Sequence, residues 1–370
     1  GPKLEDNVTC SDKTRRLIAQ MHKAVSVLQF KLEAEIIRRH PEYGMDDRLL
    51  LHKIDYDKGI CTIGGKRYSM RECYFPTIDP ADPYRLSVEE SEVIERLAHS
   101  FTTSEKLQRH IRCLLDHGSM YLVYNGNLLF HASIPMNADG TLKEVYLHDG
   151  LYKGRALLDK VDSLIRAAHS ADTDEVLRQF SVDYLWYLWC GKDAPTFDKD
   201  RMATFERYFL KDKAVMKETK GHYYTLRNED STVDLLLSEF GVEGDHRHII
   251  NGHIPVKTLK GENPMKAGGR LLVIDGGFSK PYQSTTGIAG YTLVYHSRGM
   301  SLVEHQPFTS TEEAIRNGSD IKSTRHLVEK LTERIHVSDT DKGRDIRRRI
   351  DSLRKLLYAY RQGLIREMVR

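Results

Sequence analysis

Apolar side chains recur at three- and four-residue spacing near the start of the chain, which predicts a long amphipathic helix over residues 11–39 that ends before Pro41. Residues 49–72 instead alternate around two glycine-containing turns, the pattern of a small antiparallel sheet. Two further helices are expected between residues 87 and 117, the first opened by a Ser-Val-Glu-Glu capping box. No cluster of metal ligands interrupts these elements, so residues 1–118 are interpreted as a helical and β-hairpin cap region.

From Met120 the pattern changes to short apolar runs separated by turn residues, which predicts strands. Two runs flank Asn125-Gly126, a strong hairpin signal. Further strands are expected at residues 249–250, 271–274, 291–295 and 300–303, the last two paired across a Ser-Arg-Gly turn. Helices are predicted at residues 156–168, 180–189, 200–210, 231–240, 309–317 and 341–368.

Composition excludes several classes of protein. The chain contains no run of about 18 apolar residues and no apolar N-terminal signal, so neither a membrane span nor a secretory leader is expected. A net charge of +3 does not indicate a nucleic-acid partner, and the basic run at residues 344–355 is interpreted as a solvated helix face. Five widely spaced cysteines without a CxxC pair favour a reducing cytoplasm.

Two histidines stand out as candidate metal ligands. His131 and His253 each leave an apolar run, and Ile-Pro follows each of them within four residues. Strand ends are rigid, so they can hold imidazoles at a fixed angle to a metal ion. A dinuclear phosphatase centre also needs carboxylates that bind two hard ions about 3.5 to 4 Å apart. The two histidines alone therefore do not complete such a site.

Several segments resemble a known family. FHASIP, NGHIPVK, ATFERYF and the 35-residue run GENPMKAGGRLLVIDGGFSKPYQSTTGIAGYTLVY are similar to the C-terminal part of the class III bacterial fructose-1,6-bisphosphatases of the calcineurin-like metallophosphatase superfamily. The resemblance extends from about residue 4 to the last helix. It implies an α/β (α+β) fold in which residues 119–308 form part of a β-sandwich flanked by helices, followed by a helical region at 309–370.

The same resemblance implies a site for Mn²⁺ or Mg²⁺, dinuclear in the intact enzyme. His131 and His253 match the superfamily's metal-binding histidines, although Ala132 stands where glycine is usual. Asp275 could orient a ligand histidine from behind or form a simple Asp-Gly turn. The sugar bisphosphate substrate needs groups that hold its second phosphate, and the candidates are Lys257, Lys260, Lys280, Ser284, Thr285, Thr286 and Arg201.

The superfamily's motifs GDxHG, GDxxDRG and GNH(D/E), which supply its aspartates and its catalytic histidine, do not occur in these 370 residues. We therefore expect a C-terminal portion of a gluconeogenic fructose-1,6-bisphosphatase that contains no catalytic residue, depends on a missing N-terminal segment and is inactive alone. Two alternatives stay open. One is a calcineurin-like phosphatase acting on another phosphate substrate. The other is a regulatory or homo-oligomerisation module, favoured by the amphipathic helices at residues 11–39 and 341–368.

Overall fold

The computed structural model describes residues 11–277, 279–307, 310–317 and 323–365, without the side chains of Lys280 and Pro281. Its helices are α1 (Asp12–Arg39), α2 (Val88–Thr102), α3 (Glu105–His117), α4 (Gly154–His169), α5 (Glu175–Cys190), α6 (Thr204–Phe209), α7 (Tyr223–Leu226), α8 (Asp230–Glu239), α9 (Lys280–Thr286), α10 (Thr311–Asn317) and α11 (Asp341–Arg361). Its strands are β1 (Ile54–Asp55), β2 (Ile60–Ile63), β3 (Lys66–Ser69), β4 (Tyr121–Tyr124), β5 (Asn127–Phe130), β6 (Val145–Leu147), β7 (Gly150–Tyr152), β8 (His248–Asn251), β9 (Met265–Lys266), β10 (Leu271–Val273), β11 (Gly290–His296), β12 (Gly299–His305) and β13 (Ser323–Lys330). The mixed α/β class expected from the sequence is confirmed.

The chain divides into two compact units. The first comprises the chain before Met120 together with Tyr146–Leu151 and Asp162–Gly221. The second comprises Met120–Val145, Tyr152–Val161 and the chain from His222 onward. None of the described helices is both long and apolar enough to cross a membrane.

In the first unit, α1 packs its apolar side onto the antiparallel sheet β1-β2-β3 and onto α6. The helix begins where the sequence predicts, because the Ser11 side chain accepts a hydrogen bond from the backbone N–H of Thr14. It ends at Arg39, just before Pro41. The shared core contains Val27, Phe30, Ala34, Leu51, Cys61, Phe205 and Phe209, all buried.

In the second unit, a five-stranded sheet has the order β4-β5-β8-β10-β9. The three central strands, β5, β8 and β10, run parallel, and the two edge strands are antiparallel to their neighbours. Every residue of β8 and β10 is buried. Parallel strands covered on both faces carry continuous apolar runs, and their carboxyl ends meet at one edge of the sheet.

A second sheet in this unit has the order β11-β12-β13. The predicted pairing of residues 291–295 with 300–303 is confirmed, and the hairpin is longer on both sides, with Gly290 opposite His305. Strand β13 was not expected from the sequence. Its sequence, STRHLVEK, contains only two apolar residues, and all its residues are half or fully exposed, so the sequence has no apolar run that would predict the strand.

Three helices have boundaries that differ from the predicted ones. A helix starting at residue 200 is wrong, because α6 begins only at Thr204. The Asp200 N–H donates to the Thr219 carbonyl at 2.8 Å, and the Asp200 side chain accepts from the Thr219 N–H at 2.6 Å. The last helix ends at Arg361, since Gly363 adopts a left-handed conformation with a φ of 65°. Of the helix predicted at 309–317, the structure gives Thr311–Asn317, and residue 309 lies outside the described residues.

Candidate functional site

The carboxyl ends of β5 and β8 bring two histidines together. His131 directly follows β5, and His253 comes two residues after β8. The strands are parallel neighbours, with Asn127 opposite His248. His131 Nε2 lies 3.1 Å from His253 Nδ1, and the ring centroids are 5.0 Å apart at an interplanar angle of 68°. The structure therefore places both predicted ligands at one point of the sheet edge.

Backbone hydrogen bonds around His253 hold its ring close to that of His131. The N–H of Gly252 donates to the carbonyl of His131 at 2.8 Å, and the N–H of Ile254 donates to the carbonyl of Gly252 at 2.8 Å. Between them His253 has a φ of 68°. The left-handed region costs a non-glycine residue about 1 to 2 kcal/mol. Such strain, maintained by the surrounding structure, is typical of functional sites.

The buried side-chain amide of Asn251 links the carboxyl ends of β5 and β8. Asn251 donates from Nδ2 to the carbonyl of Ala132 at 3.0 Å and to the hydroxyl of Tyr223 at 2.7 Å. Tyr223 is fully buried, and its ring meets Phe130 edge-on at 5.8 Å. Neither Asn251 nor Tyr223 was predicted to be a site residue. The available signal was an asparagine inside an apolar strand, because a buried polar group needs a partner.

The electrostatic setting keeps His131 neutral. Burial lowers the pKa of His131 below its ordinary value, and the nearby charge of Asp275 only partly opposes this effect. A neutral imidazole at neutral pH has a lone pair to offer a metal ion. Asp275 follows β10, and its Oδ1 accepts a hydrogen bond from the N–H of Gly277 at 2.9 Å. Asp275 thus forms an Asp-Gly turn, and its charge acts on His131. Its role in orienting a ligand histidine stays a prediction.

The donor set fits part of a metal centre. Imidazole nitrogen suits first-row divalent ions, but Mn²⁺ and Mg²⁺ prefer oxygen ligands. Within the described ranges, no group of three or more His, Cys, Asp or Glu side chains is placed to hold a metal ion. The two histidines therefore fit one side of such a centre and do not complete it.

The predicted phosphate-binding residues of the second unit follow the site in the chain, either soon after His253 or on α9. Lys257 and Lys260 are exposed. Ser284 and Thr285 are exposed on α9, whereas Thr286 is buried there, with its hydroxyl 3.2 Å from the carbonyl oxygens of Tyr282 and Ile288. Helix formation engages the amides of residues 284–286, so a cradle of free backbone N–H groups does not form there. The side chain of Lys280 lies outside the described residues.

Arg201 belongs to the first unit. Its Nη2 donates to the carbonyl of Lys217 at 3.1 Å and to that of Val215 at 3.5 Å. These contacts fasten a loop of its own unit, and a role for Arg201 in substrate binding stays a prediction.

Comparison with known families identifies the class. Residues 1–362 match the family described as Firmicute fructose-1,6-bisphosphatase, and the chain belongs to this family of hydrolases. Its curated relatives carry the more particular name fructose-1,6-bisphosphatase class 3. The resemblance to the class III fructose-1,6-bisphosphatases is confirmed, but these matches do not support the expectation that the chain corresponds to their C-terminal part only.

Three relatives show how far the similarity extends. The class 3 fructose-1,6-bisphosphatase of Phocaeicola vulgatus is 62% identical over 369 residues, which cover 99% of this chain and 55% of the relative. That of Porphyromonas gingivalis is 53% identical over 99% of this chain and 56% of its own length, and that of Alkaliphilus metalliredigens is 49% identical over 99% and 55%. The chain thus spans about half the length of these relatives. No solved structure matches it.

Proposed function

We propose that this chain forms one side of the metal centre of a fructose-1,6-bisphosphatase that removes the 1-phosphate of fructose 1,6-bisphosphate in cytoplasmic gluconeogenesis. The observation that carries the proposal is the pair of imidazoles, 3.1 Å apart, held by adjacent parallel strands. A strained backbone at His253 and a neutral His131 support it. The names of the relatives supply the substrate.

In this proposal His131 and His253 bind one ion of a dinuclear Mn²⁺ or Mg²⁺ centre. When bound, the metal ions polarise the phosphoryl group and lower the pKa of a water molecule. The residues of this chain orient the two histidines and bind the substrate. The hydrogen bond from Gly252 to His131 and the two from Asn251 keep both rings aimed at one point. The exposed ammonium groups of Lys257 and Lys260 hold the phosphate that does not react.

We further propose that the carboxylate ligands and the catalytic acid belong to sequence outside these 370 residues, since the relatives are nearly twice as long. A homo-oligomer is part of the same proposal. Ile350, Leu353 and Leu357, at alternating three- and four-residue spacing on α11, are 43%, 63% and 50% exposed and offer an apolar side to another subunit.

The purified 370-residue chain is expected to hydrolyse no fructose 1,6-bisphosphate with Mn²⁺ present, because two imidazoles alone neither hold a hard ion tightly nor activate water. Release of inorganic phosphate is the measurement. The controls are His253→Ala and His169→Ala, the latter removing an exposed histidine of the first unit. Turnover that His253→Ala abolishes and His169→Ala preserves would show that this chain holds a complete site.

A further inference from the structure

Helix α11 is buried only at its first turn. The backbone N–H of Asn125, at the tip of the β4–β5 hairpin, donates to Asp341 Oδ2 at 2.6 Å, and the N–H of Asp341 donates to Asn125 Oδ1 at 2.9 Å. The Thr340 hydroxyl caps the helix by accepting from the N–H of Gly343 at 3.1 Å. Gly343 is the one buried residue of the helix, and residues 344–365 are half or fully exposed.

This exposure leaves an apolar side of the helix uncovered, although helices in proteins gain most of their stability by packing such a side. Its residues recur at alternating four- and three-residue spacing, the a and d positions of a heptad, and are 41 to 63% exposed. They form a seam of Ile346, Ile350, Leu353, Leu357 and Tyr360. An apolar stripe confined to a and d positions is the narrow contact of paired helices, whereas a helix lying on a core presents a wider one. The spacing therefore favours a second helix as the occupant of the seam.

The residues that flank the seam are basic. From Ile346 to the end of the helix, every e and g position except Leu356 is an arginine, namely Arg347, Arg349, Arg354 and Arg361. The Arg349 side chain lies 3.1 Å from Asp345 and that of Arg354 lies 3.6 Å from Asp351, both within the same helix. Exposed ion pairs of this kind are weak. The flanking arginines can therefore exchange them for carboxylates of a partner.

The charges disfavour a second copy of α11 in the seam. In a parallel pair of helices the e positions of one face the g positions of the other, and in an antiparallel pair e faces e and g faces g. Both orientations set arginine opposite arginine. Like charges in these positions oppose association, and carboxylates on the partner turn the repulsion into attraction.

We propose that α11 is the docking site for an acidic amphipathic helix of another chain. That helix packs its apolar residues into the seam and places glutamate or aspartate beside the flanking arginines. The inference goes beyond the oligomer proposed above, because a second subunit that covers the seam has to present a helix other than α11. It involves neither His131 nor His253, and it stands whether or not they bind metal.

Two designed peptides test the docking site by fluorescence anisotropy with the 370-residue chain. Both peptides have leucine at a and d positions, and they differ in having either glutamate or lysine at e and g. The glutamate peptide is expected to bind at least about tenfold more tightly, because its carboxylates meet the flanking arginines. The preference should shrink in about 1 M salt, where the Debye length falls to about 3 Å.

Variants of α11 localise the effect. Arg347→Glu combined with Arg354→Glu should remove the preference for the glutamate peptide. Arg348→Glu combined with Lys355→Glu changes the net charge equally at the two f positions, on the solvated side opposite the seam, and should keep the preference. Leu353→Asp should abolish binding of the glutamate peptide without unfolding the chain, because Leu353 is 63% exposed.

Three results would overturn the proposal. The first is equal binding of the two peptides, or binding of neither. The second is a dimer in sedimentation that Leu353→Asp dissociates, which would assign the seam to another copy of α11. The third is binding to vesicles of anionic phosphatidylserine without binding of the glutamate peptide, which would assign the basic helix to a membrane surface.

Discussion

Replacing Glu90 by alanine is expected to lower the free energy of unfolding by about 3 to 5 kcal/mol, because the change leaves the buried Lys31 without its counterion. The side chain of Lys31 is 0% exposed, and its ammonium donates to Glu90 Oε2 at 2.7 Å and to the carbonyl of Thr77 at 2.8 Å. Glu90 also closes the capping box of α2 by accepting from the N–H of Ser87 at 2.9 Å. Chemical denaturation followed by circular dichroism is the measurement.

Glu92→Ala, on the same helix, is the control. Among the residues that the structure describes, the Glu92 side chain pairs only with Arg96, at 3.6 Å and exposed to water, so its loss should cost at most about 0.5 kcal/mol. A double variant, Lys31→Met with Glu90→Leu, should recover most of the stability lost in Glu90→Ala, because no charge is left buried. Equal costs for Glu90→Ala and Glu92→Ala would contradict the assigned role of the buried pair.

The pair also predicts a pH dependence. Burial by itself would raise the pKa of Glu90, but hydrogen bonds from Lys31 and from the Ser87 backbone hold it below its ordinary value of 4.5. A group with a lowered pKa in the folded state stabilises the fold above its unfolded pKa, and this contribution is lost as the pH falls through the folded value. The wild type should therefore lose stability more steeply than Glu90→Gln as the pH falls below about 4.5.

The second large effect is expected at Gly276, which follows Asp275 at the site. A Cβ there would lie 2.5 Å from the Cα of Gly290 and 3.0 Å from its carbonyl carbon, both backbone atoms that no side-chain rotation can move away. Gly276→Ala should therefore cost about 2 to 3 kcal/mol. Denaturant unfolding measures the loss.

Gly252→Ala is the matched control on the other side of the site. Its Cβ would meet Asp275 Cβ at 3.5 Å and the carbonyl oxygen of His131 at 3.7 Å, which are ordinary contacts. Its stability should stay within about 1 kcal/mol of the wild type. If Gly276→Ala is as stable as Gly252→Ala, then Gly276 and Gly290 do not approach as closely as described.

The sequence predicts those parts of the fold that local patterns encode. The 3.6-residue period of α1, the Asn125-Gly126 turn and the capping box at Ser87 each have a local physical cause, and each is confirmed. Strand β13 was not predicted, because this exposed edge strand has no apolar run. The order of the strands in the sheet also lies beyond local patterns, because it depends on pairings between distant segments.

The candidate site was predictable to a similar extent. Histidines at strand ends are visible in the sequence, but their approach to 3.1 Å requires β5 and β8 to be parallel neighbours. The support from Tyr223 comes from a helix 28 residues before Asn251, which no motif connects to it.

Manganese binding tests the central claim most directly. The experiment titrates Mn²⁺, followed by the electron paramagnetic resonance of the free ion, into a protein of the relatives' length that contains this chain. Variants are His131→Ala, His253→Ala, the double variant and His169→Ala as control. If both histidines bind one ion, each single change should weaken binding by more than about tenfold, and the double change should weaken it by much less than the product of the two. Wild-type affinity in His131→Ala and His253→Ala would show that the pair is a structural hydrogen bond and no part of a metal centre.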